Sequence, residues 1–167
     1  MYSQSRRRFM ATIIVIAGVM AIFLYNALAA DLCSVQHPLK PADKAFSGRC
    51  NNCSMARAMW ARTWKEFENS KGRFEVCSFT CLAKFAVKNG EIPLNVRVAL
   101  YHDPKTMVAA QNAYFVVGSK AKGTMTKTSK LAFASQAEAE GFVGACGGEV
   151  MGFQETFELA RHGVKKK

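Results

Sequence analysis

A chain of 167 residues, half of them hydrophobic and with no low-complexity run, can build one folded domain or two very small ones. Lys and Arg outnumber Asp and Glu by 23 to 12, a net charge of +11. The basic residues are scattered rather than interleaved with aromatics, which sets nucleic acid aside and leaves a solvated basic face, anionic lipid heads or an acidic protein partner.

The first 29 residues carry Arg6, Arg7 and Arg8, no acid, and an apolar run from Ala11 to Tyr25 broken only by Thr12 and Gly18. This reads as a leader. It is either a signal peptide cut after the small-x-small triplet Ala27, Leu28 and Ala29, or a signal anchor, since Phe9 to Ala30 matches the roughly 20 residues that cross a bilayer. Positive-inside logic keeps the arginines in the cytoplasm either way, so the domain is expected in the periplasm, with membrane association through the leader in the anchored form. Ser5 to Met10 is similar to a twin-arginine export signal, and the general route fits equally well. Cys33 follows Asp31 and Leu32, which are not the small residues a lipid-attachment cysteine needs before it. Removing the three leader arginines leaves 20 basic residues against 12 acidic ones, a net charge of +8.

Residues 30–48 read as an extended polar arm spaced by Pro38 and Pro41 and ending in a turn at Ser47 and Gly48. A domain over 49–160 follows, with 161–167 as a basic tail. Within it, units at about 56–104 and 112–157 share one order of elements. Trp60, Trp64 and Phe67 have helical spacing while Met59, Ala61 and Thr63 alternate, so periodicity leaves the opening segment undecided between helix and strand. Phe74 to Phe79 is strand-like. Leu82, Phe85 and Ala86 then make a helix stopped by Asn89 and Gly90, and Val96, Val98 and Leu100 form a strand with Arg97, Ala99 and Tyr101 on its other face. In the second unit Tyr114 to Val117 suits a buried strand, and Leu131 with Phe133 marks the next. Ser135 and Glu138 form a capping box, Ala139, Phe142, Val143 and Cys146 an inward stripe, and Gly147 with Gly148 the stop. A strand from Glu149 to Phe157 closes the unit. The expected class is α+β, with helices on antiparallel sheet.

Cys50, Asn51, Asn52, Cys53, Ser54 and Met55 make CxxCxM. Cys53 and Met55, two apart, share one side of an extended chain, and thiolate with thioether favours Cu(I) over hard ions. CxxC alone would also suit zinc, a redox pair or a disulfide, and six cysteines in an exported chain can all be bridged. Cys77 and Cys81, around a strand-to-helix turn, read as a local bridge or half-buried thiols; Cys146 reads as a small buried hydrophobe, and Cys33 has no assignment. His102 at a strand end is a candidate further ligand with Asp103 behind it, or a hydrogen-bonded edge histidine. Met125, in the long basic loop 118–130, offers another thioether or a gap-filler. No GxSxG, Gly-rich phosphate loop or HExxH is present, so an enzyme is not expected.

The chain resembles the NosL family, outer-membrane or periplasmic copper chaperones that help assemble the copper centres of nitrous oxide reductase. The resemblance spans roughly Cys50 to Phe157. It rests on the Cys50–Met55 cluster, Trp60, Cys81-Leu82, Tyr101-His102-Asp103, Ala113-Tyr114, Met125, Ala132-Phe133 and Gly147-Gly148. It implies two related ββαβ units, with the Trp60 segment a strand. It also implies Cu(I) as cargo, Cys53 and Met55 as core ligands, Cys50 as an auxiliary ligand or redox guard, and His102 or Met125 as a third. The implied partner is a client cuproenzyme or a membrane copper-transfer complex. Ser54 stands where the family usually has Gly, the Met125 loop lacks the usual Pro before and Gly after it, and the Cys77–Cys81 pair adds a thiol. These departures leave room for a different client. The rival readings are an exported CxxC thiol-disulfide oxidoreductase and a disulfide-stapled interaction module.

Overall fold

The computed structural model describes residues 33, 39 and 42–165; the leader, its cleavage point, the two arm prolines and Lys166–Lys167 lie outside them. The segment around Trp60 is not the strand that the resemblance implied. A single helical turn, α1 (Arg57–Trp60), runs into a 3-10 turn at Ala61–Thr63, and the first strand, β1 (Lys65–Asn69), starts only after Trp64. Lys65 and Phe67 point inward on the two-residue period of a half-covered strand. β2 (Gly72–Val76) returns antiparallel, setting Phe67 opposite Phe74. Ser78 caps α2 (Phe79–Asn89), its hydroxyl accepting from the Cys81 N–H at 3.2 Å, and Gly90 ends the helix in the left-handed region at φ 68°. β3 (Leu94–Ala99) pairs with β1 and β4 (Met107–Ala109) with β3, giving the sheet order β2-β1-β3-β4.

The second unit repeats the order. β5 (Tyr114–Val117) and β6 (Lys130–Phe133) form a hairpin, α3 (Gln136–Cys146) crosses, and β7 (Glu149–Met151) pairs with the free side of β5. Both sheets are antiparallel and both units are ββαβ, an α+β fold.

Further expectations are corrected. The last strand stops at Met151 instead of reaching Phe157, and after Gly152 a helix, α4 (Phe153–Lys165), continues through most of the expected tail. Phe153, Phe157, Ala160 and Val164 line one face of it and join the main core, where α4 packs on α2. Ala99 and Tyr101, expected to face outward, are buried because the second unit covers the end of β3: the Tyr101 N–H donates to the Ala132 carbonyl at 2.8 Å. The described residues of the arm are tied to the domain. Leu39 N–H donates to Met59 O at 2.8 Å, Asp43 N–H to Ala58 O at 3.0 Å, and Phe46 lies beneath the Arg57 guanidinium. Cys146 is no plain buried hydrophobe either, because it forms a disulfide with Cys33.

Phe79 joins the units. It opens α2 and meets Phe115 of β5 at 5.1 Å and Phe153 of α4 at 6.1 Å, so one core runs beneath both sheets. A smaller core of Tyr101, Leu131, Phe133, Ala139 and Phe142 belongs to the second unit.

Candidate metal centre

The CxxC segment forms a tight loop against the edge strand β2. Cys50 N–H donates to Met55 O at 2.9 Å and Ser54 N–H to Cys50 O at 2.8 Å, closing the turn on itself. Asn51 clamps it to the sheet: its N–H donates to Glu75 O at 2.8 Å and its side-chain oxygen accepts from Glu75 N–H at 2.6 Å. Ser54 sits at φ 63°, a left-handed conformation that glycine adopts freely and serine does not.

β2 ends beside this loop, and its continuation carries Cys77 and Cys81 to the same place. Cys77 precedes the Ser78 cap, and Cys81 is the third residue of α2, so its thiol sits in the electropositive first turn. The sulfurs of Cys50, Cys53, Cys77 and Cys81 all lie within 4.8 Å of one another. Cys77 is central, with Sγ 3.5 Å from that of Cys53 and 3.6 Å from that of Cys81. All four thiols are free; Cys50, Cys77 and Cys81 are buried and Cys53 is half-buried. Asn52 Nδ2 donates to the Cys81 sulfur at 3.3 Å.

Protons are unevenly shared. Hydrogen bonding with the Cys77 and Cys81 thiols pulls the pKa of the Cys50 thiol down against the opposing effect of its burial. Donating to Cys50 pushes Cys77 strongly up and Cys81 up to about 11, with burial adding to both. A soft cation binds thiolates, so loading the cluster displaces protons, above all from Cys77 and Cys81. Beneath them Lys65 is 2% exposed, its ammonium donating to Thr63 O at 2.9 Å and standing 4.2 Å over the Phe79 ring. Burial pushes its pKa down to about 7, against the pull of Cys77. Among the described residues no carboxylate pairs with it.

The sequence-derived ligands are placed unequally. Cys50 and Cys53 are in the cluster, and Met55 packs half-buried against the same core on the same loop. His102 is elsewhere: its ring contacts Tyr101, Phe133 and Phe142 of the second core at 5.2–5.8 Å, and the close group of donor atoms among the described residues contains no histidine. Met125 is 43% exposed, at φ 60°. Its neighbour Thr124 lies 2.8 Å from the Thr63 hydroxyl, which donates to Cys77 O at 2.7 Å, so the long loop is tethered to the cluster's backbone. Cys77 and Cys81 are the residues the sequence reading set aside. A CxxC followed by a CxxxC flanking a helix cap was the available signal.

The scaffold and site define a class: a doubled ββαβ fold carrying a buried thiol cluster able to hold a metal ion. The chain belongs to the NosL family, whose model matches residues 46–158. It is similar to the crystal structure of the copper chaperone NosL from Shewanella denitrificans, at 20% identity and a TM-score of 0.53, over 74% of this chain and 95% of that one. At that identity the likeness concerns the fold. No curated protein matches.

Proposed function

We propose that this chain is a periplasmic Cu(I) chaperone that carries copper to a client, the copper centres of nitrous oxide reductase or a related cuproprotein, either directly or through a membrane copper-transfer complex. The observation that carries the reading is the convergence of four thiols, two of them on the loop that also carries Met55: an all-sulfur donor set selects Cu(I) over hard ions. The similar solved structure is that of a copper chaperone, which supports the reading. The leader supports export, and the basic surface suits an acidic partner or anionic lipid heads. Carriage needs binding followed by release, and the half-buried Cys53 and Met55 give a partner's ligands a place to attack. A thiol oxidoreductase is less well supported, because such an enzyme uses one accessible pair, whereas here three of four sulfurs are buried.

Titration of the reduced chain with Cu(I) against a competing chelator tests the proposal. Tight stoichiometric binding is expected, lost when Cys50, Cys53, Cys77 and Cys81 are all changed to Ser. Undiminished binding in that variant overturns it.

A further inference from the structure

We infer that the thiol cluster is a two-ion site, with an inner Cu(I) held by Cys50, Cys77 and Cys81, an outer one held by Cys53, Cys77 and Met55, and Cys77 as the shared thiolate. The inference rests on the copper-carriage reading and adds to it how much is carried and which ion leaves.

Donor number is the first argument. Cu(I) is a soft ion of low charge that a pair or trio of sulfurs satisfies, and this loop and helix start bring four thiols together, with the thioether of Met55 two residues beyond Cys53 on the same loop. A single ion would leave soft donors unused in the interior. The second argument is position. Cys77 lies 3.5 Å from Cys53 and 3.6 Å from Cys81, so it is the sulfur that a bridge between two ions requires. The third is burial: Cys50, Cys77 and Cys81 are 2%, 0% and 0% exposed, while Cys53 and Met55 are half-buried. The donors therefore divide into a closed set and an open set that meet at Cys77.

Charge points the same way. Several thiolates around one monovalent ion leave a large negative charge inside the protein, where uncompensated charge is costly. Sharing Cys77 keeps that charge from growing: the second Cu(I) brings one positive charge as Cys53 gives up one proton, and Met55 adds a neutral donor. Lys65 lies buried next to the cluster without a carboxylate partner among the described residues, and supplies a further counter-charge to the loaded thiolates. No electron moves in loading: each thiol that binds gives its proton to solvent and its sulfur bonds Cu(I), one ion for Cys50, Cys53 and Cys81 and both ions for Cys77. The inner ion keeps Cys77 in place while the outer ion is passed on.

Native mass spectrometry of the reduced chain with its Cys33–Cys146 bond intact, titrated with Cu(I) alone, reads the ion count and oligomeric state together. Two Cu(I) per monomer are expected, with a chelator withdrawing one of them roughly tenfold or more faster than the other. Cys53→Ser should hold one slowly released ion. Met55→Leu should bind two and lose the outer one faster still. Saturation at one ion per chain overturns the two-ion site and leaves copper carriage standing; so does a second ion held only between two chains. Simultaneous loss of both ions in Met55→Leu also refutes the inner and outer division. Failure to bind any Cu(I) removes the carriage reading itself.

Discussion

The two ββαβ units solve one local problem with opposite chemistry. Each has an 11-residue helix capped by a serine, Ser78 for α2 and Ser135 for α3. In the second unit the third helical residue is Glu138, whose carboxylate reaches back to the Ala134 N–H at 3.2 Å while Ser135 accepts from the Glu138 N–H at the same distance, a reciprocal cap that serves only stability. In the first unit the corresponding positions are Cys77 before the cap and Cys81 at the third residue, and both thiols turn into the cluster. Duplicated geometry has thus left one copy to hold the fold and freed the other for chemistry.

The sharpest way to break this contrast is to write the second unit's cap into the first. Cys77→Ala with Cys81→Glu should weaken Cu(I) binding by at least about a hundredfold in chelator competition while far-ultraviolet circular dichroism stays native. In the unmodified chain Cu(I) affinity should rise with pH across the neutral range, since Cys81, at about 11, and Cys77, pushed higher still, surrender protons to the metal. A flat profile would show that neither is a ligand.

Next in size is the cost of Lys65, a burden borne by the first unit for its site. Its pKa falls from 10.5 to about 7 on folding, so between these values the unfolded chain binds more protons and stability rises with pH. The penalty is complete below about 7 and gone above 10.5. Lys65→Met should therefore stabilise the metal-free protein at neutral pH by a few kcal/mol, at most about 5, and flatten that rise; urea unfolding at two pH values checks both.

Smaller effects sharpen the comparison. Ser78→Ala and Ser135→Ala should each cost about 1 kcal/mol in thermal or urea unfolding, yet only the former should also reduce copper affinity, because its cap positions Cys81. Equal copper binding in the two variants would separate capping from the site. Smallest is Ser54→Gly, which relieves the positive φ of the CxxC loop and should add roughly 0.5 kcal/mol, read as a small upward shift in Tm.

Much of the scaffold was legible from local signals: the alternation at Val96 and Val98, the apolar run of Tyr114 to Val117, the Ser135 and Glu138 cap, and the repeat itself. Where two signals competed, the reading failed. Glu149 to Met151 is a strand, but Phe153, Phe157, Ala160 and Val164 carry a helical period that was absorbed into the strand and the tail. At the site, Cys50 and Cys53 were visible as a motif and Met55 as its soft companion. Cys77 joins Cys53 across 24 residues only because the β1–β2 hairpin returns the chain to the CxxC loop, a tertiary fact that spacing does not encode. His102 was displaced from the expected set because the end of β3 turns into the aromatic core of the second unit.

The Cys33–Cys146 bond spans 113 residues and encloses all four cluster cysteines in sequence. In an unfolded chain the short loops joining Cys50 to Cys53 or Cys77 to Cys81 close with far less entropy loss than that long one. An oxidant acting early would therefore lock the wrong partners and cripple the cluster. The folded chain holds Cys33 against Cys146 and keeps Cys50, Cys77 and Cys81 buried, so the fold favours the long closure that the unfolded chain disfavours.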